Sequence, residues 1–211
     1  MSSSHWTRCA FVVLLAIAAA RVSAEIPEPK PAVHPGFAAY SDANDDARLV
    51  QLSEHVWAAI GYDIANIGFV VTGEGILVFD TGGEVERASR ALAALREQVS
   101  KAPIVGVVYS HGHGDHTGGV EAFVAEEVRG TLPVYAGAGY ERYLREMAVP
   151  RGLIRAYYQM GGLLPKDETG SVGSGIGPTM GSGRSSYLPP TVVIEDRLEL
   201  EIGDVSIELF Y

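Results

Sequence analysis

The sequence predicts a mixed α/β fold with a chemical site at a strand end, on the strength of three patterns. Pro103 to Tyr109 (PIVGVVY) is a nearly unbroken apolar run between turn-type residues, as in a strand buried on both faces. Ahead of it, Ala88, Ala91, Leu92, Leu95 and Val99 share one face at helical spacing, so strand, helix and strand follow one another. Directly after the run, residues 111 to 116 read His-Gly-His-Gly-Asp-His, four metal-ligand side chains in six residues. Open α/β sheets bind ligands in the crevice beyond the carboxyl ends of their strands, which is where this cluster falls.

The elements can be justified in chain order. Arg8, the apolar stretch Cys9 to Ala20 and the small residues Val22-Ser23-Ala24 have the form of a signal peptide over residues 1–24. The expectation is cleavage after Ala24 and a periplasmic or secreted product with no stable membrane anchor, because the apolar stretch is short for a membrane span. The only cysteine, Cys9, would leave with it, so stability must come from packing and metal. Residues 25–46, with Pro27, Pro29, Pro31 and Pro35, read as an extended leader to one domain over 47–211. From Leu49 onward, Val56 to Ile60, Ile64 to Val71 and Ile76 to Phe79 read as strands, closed by Asp80-Thr81-Gly82-Gly83. Beyond the cluster, Thr117 is a candidate helix cap, followed by Val120, Phe123, Val124 and Val128 at helical spacing. Between Gly170 and Gly183 six of fourteen residues are glycine, the composition of a flexible loop, and no Gly-Lys-Ser/Thr follows to make a P-loop. Val192 to Ile194 reads as a strand. Leu198 to Ile202, Gly203-Asp204 and Val205, Ile207, Leu209 then read as a hairpin.

Length and composition bound the function. A chain of 211 residues, 47% hydrophobic and 20% charged, has enough apolar material for one core. Its net charge of −10 and lack of a basic stripe argue against nucleic acid as a partner. An anionic substrate would need local positive charge, which bound metal ions supply.

The cluster itself is suited to two divalent ions. In extended or turning backbone, positions i and i+2 point the same way, so His111 and His113 can grip one ion while Asp115 and His116 face a second. Zinc suits imidazole nitrogen and carboxylate oxygen, and a catalytic site keeps an open position for water. Asp115 is also the candidate catalytic group, placed to steer a water proton. Asp80 would project at the same strand end, either to orient the cluster by hydrogen bonding or to cap a turn. His34 and His55 have no ligand-like context.

The order of strand-rich start, DTG turn, amphipathic helix and H-x-H-x-D-H resembles the metallo-β-lactamase superfamily. Within it, Gly61-Tyr62-Asp63-Ile64-Ala65-Asn66-Ile67, His111 to Gly119, Gly161-Gly162-Leu163-Leu164-Pro165, Gly170-Ser171-Val172 to Gly177 and Leu188-Pro189-Pro190-Thr191 are similar to the alkyl sulfatase (alkyl/aryl-sulfatase) family over about Gln51 to Tyr211. The resemblance implies an αββα sandwich, of which this chain is the N-terminal portion and so incomplete. It implies two zinc-type ions and hydrolysis of a small-molecule alkyl sulfate to alcohol and sulfate, in a full-length enzyme that is a homodimer. Further Glu and His ligands would lie beyond Tyr211. The Gly-rich region would approach the substrate, where Arg184 or Tyr157 is a candidate sulfate contact; Met160 and Gly162 depart from the tyrosine or asparagine often found at those places. Other lactam, lactone or thioester hydrolases share the cluster, and a non-catalytic metal-binding remnant is the remaining alternative. Half a sandwich leaves a sheet partly uncovered, so poor solubility or partial folding is expected of residues 25–211 alone. The chain is then either a fragment or a truncated gene product, and transcript and genomic sequence past the codon for Tyr211 separates the two: an open frame continuing into Glu- and His-bearing ligand segments would mean a fragment. A stop codon there would move the non-catalytic alternative ahead.

Overall fold

β-branched and aromatic runs separated by turns build a seven-stranded sheet in the order β1 to β7. Its strands are β1 (Arg48–Gln51), β2 (Val56–Ile60), β3 (Ile67–Val71), β4 (Ile76–Phe79), β5 (Ile104–Tyr109), β6 (Val134–Gly137) and β7 (Val192–Ile194). The computed structural model describes residues 33–125, 128–147, 164–167, 169–179 and 181–211. The residue 1–24 segment, Tyr157, Met160 and Gly162 lie outside the described residues. The first three strand pairs are antiparallel, with Trp57 opposite Phe69 and Phe69 opposite Val78. From β4 onward the pairing is parallel, Phe79 lying opposite Val108. The switch needs a crossover, and α2 (Val85–Gln98) provides it between β4 and β5.

One face of the sheet is packed by α2. Ile67, Phe69, Ile76, Val78 and Val107 meet Ala88, Ala91 and Leu95, with Val120, Phe123 and Val124 completing the layer. The small alanines let the helix lie close to the sheet, and Leu95 fills the space beneath its last turn. The other face is partly covered by a hairpin of β8 (Arg197–Ile202) and β9 (Val205–Phe210). Alternation along the hairpin turns Leu198, Leu200, Ile207 and Leu209 toward Leu77, Val108 and Ile194. The glutamates between them face water.

Four sequence expectations change here. Residues 35–44 of the expected extended leader form a helix, α1 (Pro35–Asn44). Proline sits in its first turn, and the His34 ring Nδ1 accepts the Gly36 amide at 3.0 Å, so the proline that looked like leader chemistry is a helix start. The strand expected from Ile64 begins at Ile67, because residues 61–65 turn around the buried Asp63. The helix expected after Thr117 is instead a single turn, α3 (Gly114–Thr117), followed by a 3-10 turn at Val120–Ala122. Thr117 is its last residue and bonds back to the His113 carbonyl at 3.2 Å. The interruption comes from Gly118 and Gly119, where a Cβ would lie 2.3 Å from the Gly83 carbonyl oxygen and 2.0 Å from that of Thr81. The apolar residues beyond still bury, except Val128. Finally, the Gly-rich stretch from Gly170 is held against the fold, with Ser171 buried and Gly177 too close to Ile64 to carry a side chain.

Three large apolar side chains stay in water: Phe79, Val193 and Phe210 remain 40%, 56% and 68% exposed. These exposed side chains should bind a dye such as anilinonaphthalene sulfonate, and Val193→Thr with Phe210→Ser should reduce the fluorescence while leaving the circular dichroism unchanged. Undiminished fluorescence would place the dye elsewhere.

Candidate metal centre

The site is built where β4 and β5 end side by side. Asp80, the residue after β4, donates its amide to the Val108 carbonyl at 2.8 Å and so continues the ladder. Its backbone then turns through φ 58°, a left-handed conformation that aspartate tolerates better than most residues. That turn aims the buried carboxylate across to the other strand end. Oδ1 accepts the Ser110 amide at 2.8 Å, and Oδ2 accepts the Ser110 hydroxyl at 2.7 Å and faces His116 Nδ1 at 2.7 Å. Of the two roles the sequence left open for Asp80, hydrogen bonding to the cluster is the one its geometry performs.

Holding His116 through Nδ1 directs its Nε2 outward, 3.5 Å from Asp115 Oδ2. His111 Nε2 lies 2.8 Å from His113 Nδ1, and the Ser110 hydroxyl lies 2.9 Å from His111 Nδ1. The three rings form one group, with centroids 4.6 Å apart for His111 and His113 and 4.1 Å for His111 and His116. Among the described residues no three His, Cys, Asp or Glu side chains already share a common centre; the four cluster side chains contact one another pairwise. Two imidazole nitrogens bound tetrahedrally at zinc distances of about 2.0–2.1 Å stand roughly 3.3 Å apart. The 2.8 Å pair therefore needs only a small opening to fit an ion, and the donor chemistry suits one.

The cluster's electrostatics differ from ring to ring. Burial lowers the His111 pKa, and the neighbouring His116 and His113 lower it further against Asp80 and Asp115. His111 is thereby held neutral, the ligating form. For His116, burial pushes the pKa down, but the hydrogen bond and charge of Asp80, with Asp115, outweigh it and leave it raised. The two rings share one site and are poised oppositely, because burial dominates at His111 while only His116 has a carboxylate hydrogen-bonded to it.

The loop carrying the cluster is fastened along the Asp80-Thr81-Gly82-Gly83 turn. The Thr81 amide and hydroxyl both donate to the His116 carbonyl, at 2.7 and 3.1 Å, and the Gly119 amide donates to the Gly82 carbonyl at 3.0 Å. Behind the loop, Tyr109 stacks on Tyr140, the first residue of α4 (Tyr140–Met147), with ring centroids 5.5 Å apart. Burial raises both phenol pKa values, so both stay neutral.

A further strap runs over residues 183–186. Gly183 and Arg184 donate their amides to the Glu84 and Glu86 carboxylates at 2.9 and 2.8 Å. The Ser186 amide and hydroxyl donate to the Gly118 carbonyl at 2.6 and 2.9 Å. Arg184, a candidate sulfate contact by sequence, places its guanidinium on Glu121 at 2.5 Å. That contact ties the strap to Glu121 through Nη1, while the Arg184 side chain remains 54% exposed. His34 and His55 are engaged away from the cluster, at the α1 cap and 3.1 Å from the Val71 carbonyl. Ser110 and Thr81 are the site residues that sequence reasoning missed. The signal was adjacency alone: a hydroxyl directly before His111, and one directly after Asp80.

This sheet, crossover and His cluster define a class. Residues 60–208 match the model of the metallo-beta-lactamase superfamily, and the chain belongs to that superfamily. Within it the chain is similar to alkylsulfatases. It is 32% identical to a linear primary-alkylsulfatase of Pseudomonas sp, over 77% of this chain and 25% of that enzyme. It is 29% identical to the alkyl/aryl-sulfatase BDS1 of Saccharomyces cerevisiae, over 81% of this chain and 27% of that enzyme. Among solved structures, the stereoselective inverting sec-alkylsulfatase Pisa1 from Pseudomonas sp. superposes with a TM-score of 0.71 at 28% identity, over 81% of this chain and 28% of Pisa1. The chain thus spans about a quarter of the length of the curated relatives it matches.

Replacing Asp80 by alanine leaves His116 Nδ1 and the Ser110 amide without their acceptor. The expected outcome is a stability loss of about 1–3 kcal/mol by urea denaturation. Zinc affinity should also fall about 10–100-fold in competition with a chromogenic chelator. Unchanged affinity would remove Asp80 from the site.

Proposed function

We propose that this chain carries the His-rich half of the metal centre of an alkylsulfatase-type hydrolase, which cleaves alkyl sulfate esters to alcohol and sulfate. The observation that carries it is the cluster at the β5 end, oriented by Asp80, in a chain whose fold superposes on an alkylsulfatase. His111 and His113 would hold one divalent ion, Asp115 and His116 a second, with zinc the metal this donor set favours. When bound, such ions would lower the pKa of water to about 7 and offset charge developing on the sulfate. The chain's own residues do the rest. Asp80 holds the His116 ring so that Nε2 faces the site, the environment of His111 keeps it unprotonated, and Asp115 is placed to accept a proton from attacking water.

The Pisa1 neighbour is described as inverting. Inversion requires that water attack carbon, with the C–O bond breaking and sulfate leaving intact, and we extend that cleavage to this chain's reaction. Hydrolysis in heavy-oxygen water should then label the alcohol; label in sulfate would instead mean attack at sulfur. We further propose export after cleavage near Ala24 and a homodimeric complete enzyme, on the signal-like pattern of residues 1–24 and the family likeness. The small alkyl sulfate substrate is the expected partner, and the acidic balance of the chain does not favour nucleic acid.

A second reading, metal binding without turnover, has its own support: the cluster offers two ligands per ion, and the described residues supply no further group of three. Sulfate release from dodecyl sulfate, set beside nitrocefin turnover, separates the readings. Sulfate release alone supports the proposal. Nitrocefin turnover alone points to a different superfamily hydrolase, and metal uptake with neither supports the non-catalytic reading. In any active form, His113→Ala should abolish metal-dependent turnover, and unchanged turnover would remove His113 from the centre.

A further inference from the structure

Asp63 lies in the turn before β3, 4% exposed, and is outside the set of residues that would touch metal or substrate. A carboxylate is buried this deeply only when donors compensate it. Here there are four: the Ile64 amide at 2.8 Å, the Gly83 amide at 2.8 Å, the Glu84 amide at 3.2 Å and Arg87 Nη1 at 3.3 Å. Two of these belong to the start of α2, whose own cap residue Glu84 makes no side-chain cap bond. Asp63 therefore ties down the segment that enters α2, with its negative charge near the positive end of the helix dipole. Arg87 extends the tie to the Gly-rich loop, its Nη2 donating to the Thr179 carbonyl at 2.9 Å.

The turn that Asp63 grips presses its opposite side on the metal loop. A Cβ on Gly83 would stand 3.3 Å from Asp115 Cα, and one on Gly118 would stand 2.3 Å from the Gly83 carbonyl oxygen. The neighbouring Gly82 carbonyl accepts the Gly119 amide, and the Thr81 amide and hydroxyl donate to the His116 carbonyl. Asp115 and His116 are thus set by a backbone turn with no free space on that side.

We infer that Asp63 is a positioning residue for the metal centre, setting Asp115 and His116 through the Thr81-Gly82-Gly83 turn. The inference rests on reading the cluster as a metal site. Asp63→Asn keeps the shape but replaces one acceptor oxygen with an amide donor, so either the Gly83 and Glu84 amides or the Ile64 amide with Arg87 lose their acceptor.

Cobalt titration of the full 211-residue chain tests this, because the visible spectrum of cobalt reports coordination geometry as well as affinity. Asp63→Asn should weaken cobalt binding by about tenfold or more and alter the visible band, with far-ultraviolet circular dichroism as in the parent. Arg87→Gln removes the ion pair but leaves both turn amides on Asp63. It should lower the melting temperature while leaving cobalt affinity and spectrum unchanged. Parental cobalt binding by Asp63→Asn would overturn the inference, as would equal weakening by both variants, which would make Asp63 only a structural tie. If Asp63→Asn does not fold, Asp63→Ser, which retains one acceptor oxygen, carries the same expectations. A parent chain that takes up no cobalt would overturn the metal reading itself, and the inference with it.

Discussion

The parallel pairing of β4 with β5 brings two strand ends together, and one buried carboxylate joins them. Asp80 satisfies the Ser110 amide, the Ser110 hydroxyl and His116 at once. Without the α2 crossover the two ends would not be neighbours. Without the left-handed backbone at Asp80 its side chain would not reach across. A residue outside the common backbone regions is tolerated where surrounding structure over-determines it, and here the ladder bond to Val108 on one side and three contacts on the other do so.

From that junction the rest of the site is organised by close backbone approach more than by side-chain packing. The Thr81-Gly82-Gly83 turn and the Gly114 to Gly119 loop touch through main-chain bonds, with glycines on both sides of the contact. A single helical turn carries Asp115 and His116 and stops, where a full helix would have pushed the two segments apart. The short helix thus follows from the closeness that the ligands require.

The elements that periodicity encodes were legible in the sequence. The β5 run, the α2 face, the β8–β9 alternation and the His cluster each carry their signal within a few residues, because burial on one face repeats at the element's own period. What stayed hidden depends on partners far along the chain. α1 has little amphipathic pattern and a proline that reads as leader until its His34 cap is seen. β6 is four residues long, α4 follows it closely, and neither was anticipated. Thr117 has a capping side chain, but only the approach of Thr81 and Gly83 stops the helix it was expected to start. The pairing of Arg184 with Glu121, far away in sequence, is likewise invisible to local pattern. Of the candidate site, the donor residues, and Asp80 as a candidate group to aim them, could be read from sequence; the hydroxyls of Ser110 and Thr81 could not.

The strap over residues 183–186 grips α2 at one end and the Gly118 to Glu121 segment at the other. On the far side, α4 begins at Tyr140, clamped to Tyr109. Between these fixed points the Gly170 to Thr179 stretch is pinned as well, Gly177 against Ile64 and the Thr179 carbonyl on Arg87. Segments far apart in sequence must therefore change together in evolution: a substitution at Glu84, Glu86 or Glu121 is felt by the strap as directly as one within it.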